Sequence, residues 1–320
     1  MKYVGELPSV AVAGRISAPR AEPLRISVIM VVYHTGAALA HSLQAVLQDP
    51  RVDELIVIDN GSSALEAAAI ALAAEDPRVN VARGQGNVGF AAAANLGAQM
   101  AQGSILIFLN PDAFLQPGCI TALDRAISGA NAVRLAGARI LNIDGTEQRG
   151  ARRGEVTPVT TLLSLTRLAR FVPSLRRFEI HQEHEALPKE PANIPTVSGA
   201  CFAMKRDDFL QLGGFDARYF LHVEDIDLCW RVRQAGGEVM FVPDARVVHL
   251  GSTSLAHPLS VEYHKGRGLV RYFYKRADTW KRKLLAVVLA PAIMAASVAR
   301  PALRRRPGSG RRLSLGDSAL

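Results

Sequence analysis

The sequence predicts an α/β fold: a mostly parallel sheet flanked by helices, with a basic and apolar helical extension at the C-terminus. Three observations predict it. Short β-branched runs alternate with segments of helical spacing over the first third of the chain, the pattern of a parallel sheet covered on both faces. The runs are dominated by apolar residues, which marks strands buried on both sides. Hydrophobic residues fill 49% of 320 positions against 21% charged, enough for one large core or two ordinary ones.

The elements follow in order. RISVIMVVYHTG, from Arg25, is a buried strand closing in turn residues. The next segment places Leu39, Leu43, Val46 and Leu47 at helical spacing, and Pro50 ends it. DELIVIDNGSS is strand then polar turn, and SALEAAAIALAAED is a helix. VNVARG is a third strand, VGFAAAANLGAQMAQG an Ala-rich helix closed by Gly103, and SILIFLNPD a fourth strand. Residues 142–195 lack sustained strand patterning, are rich in Arg, Pro and Glu, and hold one amphipathic segment, TLLSLTRLARFV. They read as a long, partly mobile insertion. Pattern returns at TVSGACFAMKRDDFLQLGGFD and at FLHVEDIDLCWRVRQAGG.

In such sheets ligands gather at the carboxyl ends of the strands. The polar clusters His34-Thr35, Asp59-Asn60 and Asn110-Pro111-Asp112 fall there. A lone carboxylate behind a proline is an ordinary turn by itself, since Asn, Pro and Asp are turn formers. At a ligand-bearing edge it is also a candidate for a divalent ion, because Mg²⁺ and Mn²⁺ take hard oxygen ligands. A second cluster, Glu224, Asp225 and Asp227, crowds the first turn of a helix ended by Gly236-Gly237. Helix-dipole complementarity accounts for one or two acids there. The apolar neighbours Phe220, Leu221, Val223, Leu228 and Trp230 predict a partly buried turn, in which crowding raises a carboxyl pKa toward the range of a general base.

Several classes are excluded or weakened. No GxGxxG follows the first strand and no GxxxxGK[ST] occurs, against a dinucleotide-binding dehydrogenase or a P-loop enzyme. Cys119, Cys201 and Cys229 are odd in number and form no CxxC, against a disulfide framework or zinc cluster; a reducing, cytosolic setting fits. The net charge of +9 is local. Residues 264–312 hold fourteen Lys and Arg against the single acid Asp278, a net +13 that leaves −4 elsewhere. Such asymmetry points to an anionic surface.

Seven segments occur in this order: IMVVYHTG, LIVIDNGSS, GNVGFAAAANLG, FLNPDAF, VSGACFAMKRDDF, GGFDARYFLHVEDIDLCWR and VVHLGSTS. Together they resemble family 2 glycosyltransferases of the GT-A fold, in particular the rhamnosyltransferase-like branch, over about 248 residues from Ser27 to Tyr274. The resemblance implies a nucleotide-diphosphate sugar donor, Mn²⁺ or Mg²⁺ as cofactor, and an inverting transfer to an acceptor hydroxyl. Asp59 resembles the residue that hydrogen-bonds the nucleobase, with Tyr33, Asn87 and Gly89 on the nucleoside side. Asp112 matches the last acid of an Asp-x-Asp metal motif whose first position is here Asn110, leaving one carboxylate. His249 resembles a further metal or diphosphate contact, or is an ordinary strand-end histidine. Gly199 and Ala200 resemble the floor of the donor-sugar pocket, Asp225 the catalytic base, and Glu224 a neighbour that positions the acceptor. The branch favours dTDP-L-rhamnose, although no residue here separates a 6-deoxy sugar from galactose or mannose.

The organisation read from the chain is a leader at 1–24 and a glycosyltransferase domain at 25–275. The domain divides into a nucleotide-binding half, 25–115, and a donor-sugar and acceptor half, 116–275, with the insertion at 142–195. A basic tail occupies 276–320. The leader has no continuous apolar core and does not read as a secretory signal. In the tail, fifteen mostly apolar residues, Leu284 to Val298, contain Pro291 and lie between basic flanks. As a helix they span about 22 Å, short of a hydrocarbon core of roughly 30 Å. They therefore read as lying in an anionic leaflet, or else as a core helix with a solvated basic end. No nucleic-acid motif accompanies the arginines. A membrane-surface tail suits a polyprenyl-linked or other glycan acceptor and places the protein peripherally on the inner face of the cell membrane. Two rivals are a catalytically silent sugar-nucleotide-binding or scaffold protein, suggested by Asn110, and a nucleotidyltransferase. The latter needs a Gly-rich basic loop where Tyr33-His34-Thr35-Gly36 stands.

Overall fold

The computed structural model describes residues 11–13, 25–166, 172–251, 253–254 and 257–303. Most of the leader and residues 304–320 of the tail lie outside the described residues. One ten-stranded sheet organises the chain. Its first half is parallel: β2 (Ile26–Val32), β3 (Glu54–Asp59), β4 (Val79–Arg83) and β5 (Ile105–Leu109) lie in the order β4-β3-β2-β5. All seven residues of β2 are buried, as the unbroken apolar run requires. Ala11–Ala13 (β1), inside the stretch read as a leader, pairs antiparallel with β4 at the edge.

Beyond β5 the sheet becomes mixed. β6 (Ala113–Leu115), β7 (Arg134–Leu141), β11 (Cys201–Lys205) and β12 (Glu238–His249) extend it in the order β5-β11-β7-β12-β6. Only β7 and β12 run parallel there. The register of β12 slips between Val242 and Arg246, around Pro243, which cannot donate to a ladder. One face of the sheet packs on α1 (Ala38–Gln48) and α4 (Cys119–Ser128), through Leu39, Leu43, Ile120 and Leu123. The other packs on α3 (Phe90–Met100), α6 (Arg206–Gln211) and α7 (Glu224–Gln234), through Ala94, Ala98, Phe209 and Leu228.

The insertion is more ordered than its composition predicts. It contains β8 (Arg152–Arg153), α5 (Pro158–Thr166) and β9 (Ala192–Asn193), and β8 pairs with β10 (Thr196–Val197) just beyond it. Strands of two residues are too short to leave a periodic trace in sequence.

The C-terminal region also differs from its reading. α8 (Pro258–Arg276) is followed by α9 (Trp280–Leu303), 24 residues long, with Pro291 inside it. The fifteen-residue apolar stretch is therefore only part of the helix. By length and composition alone, Trp280–Arg300 suffices to cross a membrane. One face of α9 instead joins a third core: Ala286 and Ile293 pack with Leu269, Tyr272 and Phe273 of α8 and with Leu165 of α5. The other face leaves Leu284, Leu285, Val287 and Val288 exposed.

Candidate active site

Asn110, Pro111, Asp112 and Ala113 form a tight turn closed by Ala113 N–H donating to the Asn110 carbonyl at 3.1 Å. Proline supplies the fixed φ that such a turn favours at its second position. The turn hands the chain from β5 to β6, and β6 pairs with β12 so that Ala113 faces His249. That register sets His249 beside Asp112. The His249 Nε2 lies 3.1 Å from Asp112 Oδ1 and 3.2 Å from Asn110 Nδ2. Thr253 Oγ1 donates to Asp112 Oδ2 at 2.8 Å. Asp112 is buried, which would raise its pKa, but the contacts with His249 and Thr253 outweigh burial and hold it below the usual carboxylate range.

Gln148 defines the histidine further. Its amide nitrogen donates to the His249 carbonyl at 2.9 Å, which turns its oxygen toward His249 Nδ1 at 2.7 Å. Nδ1 therefore carries a proton, and Nε2 points toward a carboxylate oxygen. Two atoms that both bear lone pairs, 3.1 Å apart, call for a proton or a cation to hold them together. Cis ligands of an octahedral ion at about 2.1 Å stand roughly 3 Å apart. The pair thus fits a shared divalent ion, with Asn110 beside it as a further oxygen donor on rotation of its amide. Among the described residues no group of three or more His, Cys, Asp and Glu side chains is placed to hold a metal. Protein ligation here would be sparse.

Across the adjoining strand ends lies the acid pair. Asn110 N–H donates to the Ala200 carbonyl at 2.9 Å, and Gly199 N–H donates to Asp225 Oδ2 at 3.1 Å. A Cβ at Gly199 would sit 3.0 Å from Asp225 Cβ, so glycine lets α7 approach the strand end. Arg153, on β8, donates to the same Asp225 oxygen at 3.0 Å. Burial pushes the Asp225 carboxyl up, while the Arg153 charge and the amide donors of Ile226 and Gly199 prevail and hold it low. Glu224 takes the opposite course. Burial, and then the neighbouring Asp225 charge, push its carboxyl up to about 8. Its Oε2 is buried without a hydrogen-bond partner among the described residues. The raised pKa predicted for the crowded acids thus falls on Glu224. Asp227 turns away entirely: it accepts from Tyr219, Arg231 and Lys275 and is structural. His222 and Val223 enter α7 with φ of 66° and 74°, left-handed values rare outside glycine, which aim the first turn of the helix at the strand ends.

The remaining predicted residues gather at the ends of β2, β3 and β4. Asp59 accepts from Gly61 N–H at 3.0 Å and Ser62 Oγ at 2.9 Å, so its carboxylate shapes its own turn. Gly61 lies over the Tyr33 ring, where a Cβ would come within 3.3 Å. Asn87 Oδ1 accepts from Gly89 N–H at 3.1 Å, and Asn60 holds the Gly89 carbonyl at 3.1 Å. Gly89 has φ of 82°, and a Cβ there would stand 2.5 Å from the Phe220 carbonyl. That carbonyl accepts from Phe90 N–H at 2.8 Å. Two groups therefore emerge. Asn110, Asp112, His249, Gly199, Ala200, Glu224 and Asp225 are joined through hydrogen bonds and chain neighbours, whereas Tyr33, Asp59, Asn87 and Gly89 form a separate loop cluster. Sequence reasoning missed Arg153, Gln148 and Glu66. Glu66 accepts from Gly36 N–H at 3.0 Å and Ser63 N–H at 2.6 Å, tying the loop after β2 to α2 (Ala64–Ala73). The capping-box spacing of Ser63 and Glu66 was the available signal for it; nothing local marked the other two.

Comparison with known proteins gives concordant matches. The family described as glycosyl transferase family 2 matches residues 27–213, and one described as the N-terminal domain of galactosyltransferase matches residues 182–253. An N-acetylglucosaminyl-diphospho-decaprenol L-rhamnosyltransferase of Mycobacterium tuberculosis is 29% identical over 238 residues, covering 70% of this chain and 75% of that protein. The rhamnosyltransferase WbbL of Escherichia coli is 37% identical over 101 residues, 30% of this chain and 33% of that one. Among solved structures, the mannosyltransferase PcManGT of Pyrobaculum calidifontis, in complex with GDP-Man and Mn²⁺, superposes with a TM-score of 0.54 at 19% identity. It covers 90% of this chain and 77% of that one. At such identity the likeness speaks for the fold alone.

Proposed function

The chain belongs to glycosyl transferase family 2, and from that premise we propose that it is an inverting, divalent-metal-assisted transferase. It moves a sugar, L-rhamnose from dTDP-L-rhamnose, to a hydroxyl of a polyprenyl-linked glycan. The observation that carries this reading is the path from Asp112 and His249, through Asn110 and Ala200 by hydrogen bonds and on to Gly199 by the peptide bond, which Gly199 N–H continues to Asp225. A candidate cation corner and an ionised carboxylate at adjoining strand ends support a reading in which attack comes opposite a departing diphosphate. The sugar is supported by the likeness to the two rhamnosyltransferases, and the polyprenyl-linked acceptor by the name of the mycobacterial one. The metal is supported by the donor set and by the Mn²⁺ held in the mannosyltransferase complex of the same fold.

Each residue then has a task. Tyr33, Asp59, Asn87 and Gly89 receive the nucleoside. Asp112 and His249, with Asn110, would hold a divalent ion, which when bound would offset charge on the diphosphate. Asp225, kept ionised by Arg153, takes the proton of the acceptor hydroxyl as its oxygen bonds to the anomeric carbon. The bond to the diphosphate breaks on the opposite face, so configuration inverts without a covalent intermediate. Glu224, neutral below about pH 8 and with a buried oxygen that has no partner among the described residues, offers the acceptor a hydrogen bond. The exposed apolar residues of α9, beside exposed Lys281, Arg282 and Lys283, suit peripheral attachment to an anionic inner leaflet.

The test is incubation with a panel of labelled nucleotide sugars and a polyprenyl-diphosphate-linked N-acetylglucosamine, with the product's anomeric configuration read by NMR. Transfer from dTDP-L-rhamnose with inversion is the expected result. Retention of configuration, or no turnover of any donor, overturns the reading.

A further inference from the structure

A groove of about 1190 Å³ runs between α8 and α9, closed at one side by the loop at residues 217–220. It is larger than the roughly 300–1,000 Å³ of ordinary small-molecule sites. Its apolar walls include Val270, Val287, Ala290 and Met294. Its charged lining is all of one sign: Arg218, Arg267, Arg271 and Lys275, with no acid. Two of these cations are engaged, since Arg218 and Lys275 both pair with Asp216, at 2.6 and 3.0 Å. The other two make no ion pair among the described residues. Arg267 lies over the Tyr263 ring at 5.7 Å.

The groove is coupled to the site by direct contacts. Phe220 and His264, both in its lining, stack with ring centroids 4.6 Å apart, and the Phe220 carbonyl is the one that closes over Gly89. Gly268 in the groove wall is so close to Val223 that a Cβ there would come within 3.0 Å of the valine side chain. Val223 immediately precedes Glu224. One end of the groove therefore meets both the nucleotide loop and the acid pair. On its outer side it is bounded by α9, whose exposed Leu284 and Val288 offer a path from a bilayer.

We propose that this groove seats the prenyl chain of the acceptor, with Arg267 and Arg271 facing its diphosphate. The inference deepens the lipid-linked reading of the acceptor and rests on it. Three features select this occupant over a lipid acyl chain. The apolar slot is continuous with Arg267 and Arg271, which make no ion pair among the described residues, it leads inward to Glu224, and its cations outnumber the single charge of a phospholipid phosphate. A chain of prenyl units ended by a diphosphate matches slot and charge together.

The experiment needs no turnover. The full chain is titrated calorimetrically with farnesyl diphosphate, farnesol and inorganic diphosphate, the nucleotide site being blocked by saturating dTDP. Farnesyl diphosphate should bind at least tenfold more tightly than either of the other two. Ala290→Trp, which fills the slot, and the pair Arg267→Glu, Arg271→Glu, which reverses its charge, should each lose tenfold or more. Both should keep their affinity for dTDP and their melting temperature. Equal binding of farnesyl diphosphate and inorganic diphosphate overturns the proposal, as does undiminished binding by Ala290→Trp. If Ala290→Trp loses sedimentation with phosphatidylglycerol vesicles while keeping farnesyl diphosphate, the groove takes membrane lipid and the proposal is wrong. Because binding is read without the sugar donor, failure of rhamnosyl transfer and failure of this site are separate results.

Discussion

Arg153 Nη2 lies 3.0 Å from Asp225 Oδ2, joining residues 72 apart in sequence. Both side chains are mostly buried, at 15% and 13% exposed. The pairing keeps the proposed base ionised where burial alone would neutralise it. It also sets the two neighbouring acids apart, because an ionised Asp225 is one reason Glu224 stays protonated. A shared proton need not be divided between them.

A pH profile reads this directly. The carboxyl of Asp225 is held below its ordinary range, so its ionised form persists to low pH and the acidic limb of kcat/KM should lie low. Arg153→Ala removes the main cause, so the limb should move to higher pH, and Arg153→Lys should restore part of the shift. Glu224 sits near 8, so ionising it puts a second charge beside Asp225, and activity should fall through that range. Glu224→Gln should abolish the alkaline limb. Unchanged limbs in both variants contradict these assignments.

The metal corner makes a second prediction. Asp112→Ala should abolish the tightening of nucleoside-diphosphate binding by Mn²⁺, and Asn110→Asp should retain or strengthen it. Gln148 touches no ion but fixes the histidine through Nδ1. Outer partners of this kind are worth about 10–100-fold in metal affinity, so Gln148→Leu should weaken the Mn²⁺ effect to that extent. Calorimetry with EDTA and with Mn²⁺ is the measurement. Equal affinity in both for the parent protein removes the ion from the account.

Asp227 should be a stability residue. Its side chain is fully buried and contacts Tyr219 at 3.1 Å, Arg231 at 2.8 Å and Lys275 at 2.7 Å. Removing one partner of a buried ionic network costs about 3–5 kcal/mol. Asp227→Ala should lower the urea midpoint accordingly, while the folded variant in the absence of urea retains its donor affinity. A parental urea midpoint would show that the network holds nothing together.

The two faces of α9 should separate folding from attachment. Ile293 is 0% exposed, and Ile293→Ala should cost about 2–4 kcal/mol. Val288 is 63% exposed, and Val288→Asp should leave the melting temperature unchanged while reducing sedimentation with anionic vesicles. Loss of vesicle binding should be partial in high salt for the parent, since apolar burial persists when charges are screened. Undiminished vesicle binding by Val288→Asp would place the contact elsewhere.

Local pattern made the parallel half of the sheet legible, because each of its strands is buried on both faces and each helix carries its own apolar stripe. The Asn110-Pro111-Asp112 turn was legible for the same reason: its residues are neighbours in sequence. What stayed hidden depends on distant partners. Arg153 lies in a two-residue strand inside a segment with many other arginines and no strand periodicity, and only its pairing with β10 brings it to Asp225. Gln148 becomes meaningful only through the register of β12. The three acids of α7 look alike in sequence, yet a guanidinium, burial beside a charged neighbour and an ion-pair network give them three different fates. The fifteen apolar residues of α9 concealed a longer helix, because its ends are polar and its inner face is only recognised once α8 is in place.

The central claim is that Asp225 accepts the acceptor's proton at a site whose donor half works without it. Rapid-quench transfer from a preformed donor complex, for the parent protein and for Asp225→Asn, tests it most directly. The account predicts that Asp225→Asn binds the nucleotide sugar with parental affinity and transfers it slower by roughly 10²–10⁴-fold, the usual contribution of a positioned general base. Transfer at the parental rate by a correctly folded Asp225→Asn protein would contradict it.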